Sequence, residues 1–288
     1  MVQIIIKFTQ LAIFFLLLLF STFSNAQKLE NSLLWKVSGK NLKKPSYVFG
    51  TMHLICDPTL TPKTLRALDK TSQLYLEIDL TDEPSILNAS EDFFMENNET
   101  IEDLLTEEEY KKLDVFLKKY MSVSIELLNN VKPINISYLL YPFFLECDAE
   151  SIESQLVKVT KEQNELTFGL ESNEDHNAVV DNYSNRDQLL ELLELSNQDD
   201  ETLKREAKQM AKIYLAEDIE QMYANSNEEN AQFNEAILND RNKKWIPVME
   251  KAMKDKPTFF GVGAAHLAGE EGVIKLLRKQ GYKVEPVK

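Results

Sequence analysis

Two of the three histidines in this 288-residue chain sit in the same local pattern, once near each end. Gly50-Thr-Met-His53 follows Ser-Tyr-Val-Phe49, and Gly263-Ala-Ala-His266 follows Thr-Phe-Phe-Gly-Val262. With only eight glycines available, random placement would produce this coincidence in roughly one chain in four hundred. A strand-like run that ends in Gly-x-x-His, used twice, requires a fold that brings distant segments to one place. Neutral imidazole is both a common metal ligand and a good base. The pair therefore reads as two halves of a metal-centred hydrolytic site. For either histidine alone, a satisfied polar group at a turn is the plainer reading.

Other periodicities describe the scaffold. Leu74-Tyr-Leu-Glu-Ile-Asp-Leu80 alternates, with Leu74, Leu76, Ile78 and Leu80 on one face and Tyr75, Glu77 and Asp79 on the other. Ser46–Phe49 and Thr258–Val262 read as strands, as do the weaker segments Leu33–Val37, Leu166–Leu170 and Tyr282–Pro286. Leucine spacing makes Pro62–Lys70 a helix, so strand–helix–strand units follow. Thr100–Met121 carries a Thr-x-x-Asp start and an apolar stripe. Pro133–Leu145 is apolar all round and is expected to be buried or to cover the site, while residues 150–163, 185–196 and 199–255 add acidic amphipathic helices. The expected fold class is α/β. It has a central, mostly parallel sheet with crossover helices, and large helical insertions around 84–163 and 176–255 of a single domain, 27–288.

The first 26 residues read as a secretory signal peptide. Lys7 precedes an apolar run, Phe8–Phe20, and Ser24-Asn25-Ala26 offers small residues before Gln27. An uncleaved anchor is the alternative. With no second apolar stretch of spanning length, the chain is expected to be periplasmic or secreted, with no stable membrane insertion after signal cleavage. A formal net charge of −15 argues against nucleic acid and anionic lipid as partners. Cys56 and Cys147 make an even pair, which favours a disulfide closing a long loop in an exported protein. A thiolate ligand at Cys56, three residues beyond His53, is the sharper alternative.

A two-histidine site normally needs carboxylates. Glu77 lies within a strand opposite the leucines, and Glu171 ends Phe168-Gly-Leu-Glu. A buried carboxylate is costly unless it is paired or bound to metal; the plain alternative places Glu77 on a solvated edge. Asp79 and Asp57 rank below them. Arg241-Asn242, in a helical run, could polarise a carbonyl or hold a substrate carboxylate. His176 lacks such a context and reads as a surface residue. Gly261-Val-Gly-Ala-Ala-His266 has His where a dinucleotide fingerprint needs its third glycine. There is no phosphate loop, no His-Glu-x-x-His and no Gly-x-Ser-x-Gly.

Tyr-Val-Phe-Gly-Thr-Met-His53, Leu-Glu77-Ile-Asp, Gly-Leu-Glu171, Arg241-Asn242 and Gly-Val-Gly-Ala-Ala-His-Leu-Ala-Gly-Glu-Glu-Gly272 together resemble the TraB/GumN family, which includes the TIKI-type metalloproteases. The resemblance runs over about residues 33–287. It implies an α/β fold related to erythromycin esterase-like and haem-binding ChaN-like proteins. It also implies metal-dependent peptide hydrolysis, with His53, His266, Glu77 and Glu171 as ligands to manganese, cobalt or zinc. In that reading Glu77 or Glu171 also moves a proton, and Arg241 and Asn242 contact substrate or transition state. The expected partner is a peptide or small-molecule substrate; no oligomeric state follows. A metal-free esterase-like hydrolase, and a binding protein for a peptide or haem, are the alternatives.

Overall fold

A computed structural model describes residues 29–81, 92–229 and 235–288; residues 1–26, expected to be a signal peptide, lie outside them. Among the described residues no helix is long and apolar enough to cross a membrane. Asn31–Lys288 make one compact unit.

Its centre is a six-stranded sheet, with strands β1 (Leu34–Ser38), β2 (Ser46–Thr51), β3 (Gln73–Leu76), β4 (Leu166–Gly169), β5 (Phe259–Gly263) and β6 (Lys283–Pro286). The order across the sheet is β4-β3-β5-β2-β1-β6. The first four are mutually parallel, and β1 runs antiparallel to both β2 and β6. Strand β5 is buried along Phe259–Val262, and β2 along its whole length. Both-face burial suits near-continuous apolar strands in a parallel sheet covered by helices. Trp35, Val48, Leu74, Phe259 and Phe260 are fully enclosed there.

Register decides where the functional segments emerge. Gly50 pairs with Val262 and Thr51 with Gly263, so the two Gly-x-x-His turns leave neighbouring parallel strands side by side. Leu76 pairs with Gly169, which sets Glu77 beside the segment leading to Glu171. All four therefore leave the carboxyl ends of parallel strands, the edge at which such sheets bind ligands.

The helices divide between flanking the sheet and forming a second core. Helix α1 (Pro62–Leu68) connects β2 to β3, with Thr61 capping it and Pro62 in its first turn. The expected single helix over Thr100–Met121 is two, α2 (Ile101–Leu104) and α3 (Glu107–Met121). Thr106 and Glu109 form their own capping box and restart the helix. Helices α4 (Pro133–Leu145), α5 (Ile152–Glu162), α6 (Asn173–Val180), α7 (Asn185–Leu195), α8 (Asp200–Leu215) and α9 (Ile219–Glu229) follow. Residues of α2, α3, α4, α7 and α8 pack into one apolar cluster around Leu113, Leu117, Ile136, Leu140 and Leu189. The run expected to be helical through 199–255 includes a π-helical turn, Glu235–Asp240, directly before α10 (Arg241–Asp255). Helix α11 (Val273–Lys279) leads into β6. The strand expected through Leu80 ends at Leu76; Glu77 is thus the first residue beyond it, and Leu80 is exposed.

Candidate active site

His266 closes a short 3-10 turn after β5 and is 4 % exposed. Asn242, on α10, holds it. The Asn242 amide nitrogen donates to the carbonyls of His266 (3.3 Å) and Glu271 (2.9 Å). That fixes the amide orientation, so its Oδ1, 2.8 Å from His266 Nδ1, must accept a proton from the ring. The tautomer follows: Nδ1 carries the hydrogen and Nε2 bears the lone pair. Burial, reinforced by Arg241, brings the His266 pKa down to about 4, so the ring is neutral at ordinary pH. Trp245 packs on it at 4.5 Å between centroids.

Glu77 meets this group from β3. Gly263 N–H donates to Oε1 at 2.7 Å, and Arg241 Nη2 to Oε2 at 2.6 Å. Burial alone would raise its pKa, but Arg241, His53 and the Gly263 amide outweigh burial, and the carboxylate is held well below its usual range. A Cβ at Gly263 would stand 3.3 Å from Glu77 Oε1; glycine lets the backbone amide come this close.

Arg241 is 2 % exposed and ties the two glutamates together. Its Nε and Nη2 donate to Glu171 Oε1 at 2.9 and 2.6 Å, and Nη1 to the Ile237 carbonyl at 3.0 Å. Nη1 also lies 3.3 Å from His266 Nε2. Trp245 Nε1 donates to the other Glu171 oxygen at 2.9 Å. The π-helical turn supplies the Ile237 carbonyl, a local irregularity of the kind that recurs at functional positions. Asn242, expected to contact substrate, is instead buried outside the cavity lining with its amide nitrogen donating to two carbonyls, and it positions His266. Arg241, expected in the same role, does line the cavity while its N–H groups are engaged inside the protein. His176 is corrected as well: its Nδ1 lies 3.1 Å from Glu171 Oε1 and 3.0 Å from Arg241 Nη2, so it belongs to the cluster.

His53 stands on the opposite wall, its side chain half exposed. Its Nδ1 lies 2.8 Å from Glu153 Oε1, at the start of α5. Glu153 is only 7 % exposed; burial would raise its pKa, but His53, with Thr51, holds it below the usual range. Burial would lower the His53 pKa, but Glu153 and Glu77 override it and raise it to about 9; the ring's open edge lets water moderate the pair. Three links fasten the His53 turn to the segment that carries Glu153. They are a disulfide between Cys56 and Cys147, a two-way backbone bridge between Ile55 and Glu150 at 3.0 Å, and Ile152 N–H donating to the Met52 carbonyl at 3.1 Å. Nothing in the sequence singled out Glu153. The only available signal was that the two cysteines, if paired, bring residues 147–153 to His53.

His53, Glu77, His176, Arg241 and His266 line one cavity of about 420 Å³, walled by Tyr138 of α4 and Met222 of α9. Asp79 lies outside that lining, with its carboxylate accepting from Thr81 at 2.8 and 2.7 Å. Asp57 makes an exposed turn with Thr59.

The donors can be tested against a metal ion. His266 Nε2 and Glu77 Oε1 are 3.6 Å apart, close to the span between two ligands of a tetrahedral ion with bonds of about 2.1 Å. Both histidines are anchored through Nδ1, as ligating imidazoles usually are. His53, His266 and Glu77 fit an ion of the zinc, manganese or cobalt type in their chemistry. Glu171 does not, because it lies outside the cavity lining, with Arg241 and Trp245 on its oxygens. Among the described residues, no three His, Cys, Asp or Glu side chains already stand at ligand spacing.

The TraB/PrgY/gumN family model matches residues 33–286. This chain belongs to that family. It is also 31 % identical over 91 residues to metalloprotease TIKI2 of Danio rerio, a match covering 31 % of this chain and 18 % of that protein. No solved structure matches the chain.

Proposed function

We propose that this member of the TraB/PrgY/gumN family is an exported metal-dependent hydrolase acting on peptide bonds. One observation carries the reading: two Gly-x-x-His turns from neighbouring strands, with Glu77 between β3 and the same cavity. Likeness to a metalloprotease over part of the chain supports the reaction class. The apolar leader and the disulfide favour an oxidising compartment, periplasmic or extracellular.

His53, His266 and Glu77 would hold a divalent ion. That ion supplies Lewis-acid polarisation of the scissile carbonyl and a more acidic bound water. Arg241 keeps Glu77 ionised, and Asn242 keeps His266 in the tautomer whose Nε2 faces the cavity. Tyr138 walls the cavity, and Trp245 packs against the His266 ring. Elemental analysis of protein purified without chelators, with cleavage of internally quenched peptides, tests the reading. Bound metal and hydrolysis lost in His266→Ala protein that still shows native near-UV dichroism are expected. A metal-free protein that cleaves no peptide defeats it.

A second reading, a metal-free hydrolase, is favoured by Arg241 Nη1 lying 3.3 Å from His266 Nε2, where a guanidinium competes with a cation. Peptide or ester hydrolysis undiminished by exhaustive chelation would select it.

A further inference from the structure

His53 and Tyr138 border three hollows at once. One is the cavity described above. The second, about 300 Å³, is lined by Met52, Leu54, Ile134, Ser137 and Tyr141 together with His53 and Tyr138. The third, about 320 Å³, is bordered by Leu76, Ile78, Leu80 and Ser151 and shares Glu77 and His176 with the first. A cavity that continues into further hollows through shared walls suits an extended chain better than a compact small molecule, since a strand advances about 3.3 Å per residue.

The second hollow is chemically one-sided. Among the described residues, none that is ionisable lines it apart from His53 and tyrosine. Its Ser137 hydroxyl donates back to the Pro133 carbonyl at 3.3 Å. Helix α4, which forms its wall, also leaves Tyr138, Leu139 and Phe143 exposed. A polar side chain placed there would lose water and find few partners, whereas a large apolar one would gain burial.

We propose that this groove is the substrate-side-chain subsite next to the scissile bond. It selects peptides with a large aliphatic or aromatic residue at that position. Continuity with the catalytic cavity, through the shared Met52, His53, Ile134 and Tyr138, identifies the occupant. The inference rests on the peptide-hydrolase reading, and its test keeps the two apart.

Binding of non-hydrolysable reduced-amide peptides to the wild-type protein is measured by calorimetry, alongside cleavage of the parent peptides. Leu- or Phe-bearing peptides are expected to bind and to be cut roughly 10- to 100-fold better than matched Ser or Asp peptides. Ser137→Asp, outside the catalytic cluster, should erase that preference and favour Lys or Arg at the same position. Equal binding of all peptides, or none, overturns the subsite whether or not cleavage occurs. Apolar-selective binding that Ser137→Asp reverses, without cleavage, sustains the groove and removes the hydrolase. A dimer dissolved by Ser137→Asp, with no peptide selectivity, would instead assign the face to a second copy of this chain and overturn the proposal.

Discussion

Arg241 has five N–H groups, and its hydrogen bonds to Glu77, Glu171 and the Ile237 carbonyl, with a contact to His266, engage them inside the protein. Two glutamates with side chains 12 % and 6 % exposed depend on that one cation. Arg241→Met should therefore destabilise the fold by roughly 3–5 kcal/mol, because it strands two buried carboxylates; urea unfolding measures this directly. Arg241→Lys should recover only part of the loss, since one ammonium cannot reproduce the planar fork. Glu153 calls for a different test. Glu153→Gln keeps an acceptor for His53 Nδ1 but removes the charge that orients the ring. Metal affinity, read by competition with a chromophoric chelator, should fall about 10- to 100-fold with little change in unfolding midpoint. Unaltered affinity would exclude Glu153 from the site.

At the scale of elements, the disulfide closes a separation of 91 residues between the His53 turn and the approach to α5. Chain-entropy reasoning for a loop of this size gives roughly 4–5 kcal/mol. Cys56→Ser/Cys147→Ser protein should lose stability of this order in denaturant and lose hydrolysis before it unfolds, because the His53 turn is then held only by backbone bonds and the His53–Glu153 contact. The sequence disclosed elements unevenly, and the reason is physical. His53, Glu77, Glu171 and His266 follow strands whose apolar runs and glycines are local signals, so all four were legible. Leu80, by contrast, copied the strand alternation beyond Leu76, where no partner strand continues. Glu153 and His176 sit in the first turns of α5 and α6, behind Ser151 and Ser172 caps. A capped helix start announces itself, but not which cavity it will face; that depends on docking through distant contacts. The buried, spent state of Asn242 was hidden for the same reason.

On the scale of the whole molecule, β5 is the decisive strand. It lies between β3 and β2, although its residues come from the end of the chain. A protein truncated after Asp255 would lose β5 and β6, opening the edges of β3, β2 and β1 and leaving Arg241 without His266. It should lose near-UV dichroism and aggregate; a soluble, cooperatively melting truncate would refute this account of the sheet.

The late position of β5 also bears on biosynthesis. A nascent chain emerging from the ribosome or a translocation pore carries His53, Glu77 and Glu171 long before Phe259–His266 appear. Until that segment emerges the proposed site lacks both His266 and the strand that seats it, so any cleavage activity would have to wait for Phe259–His266.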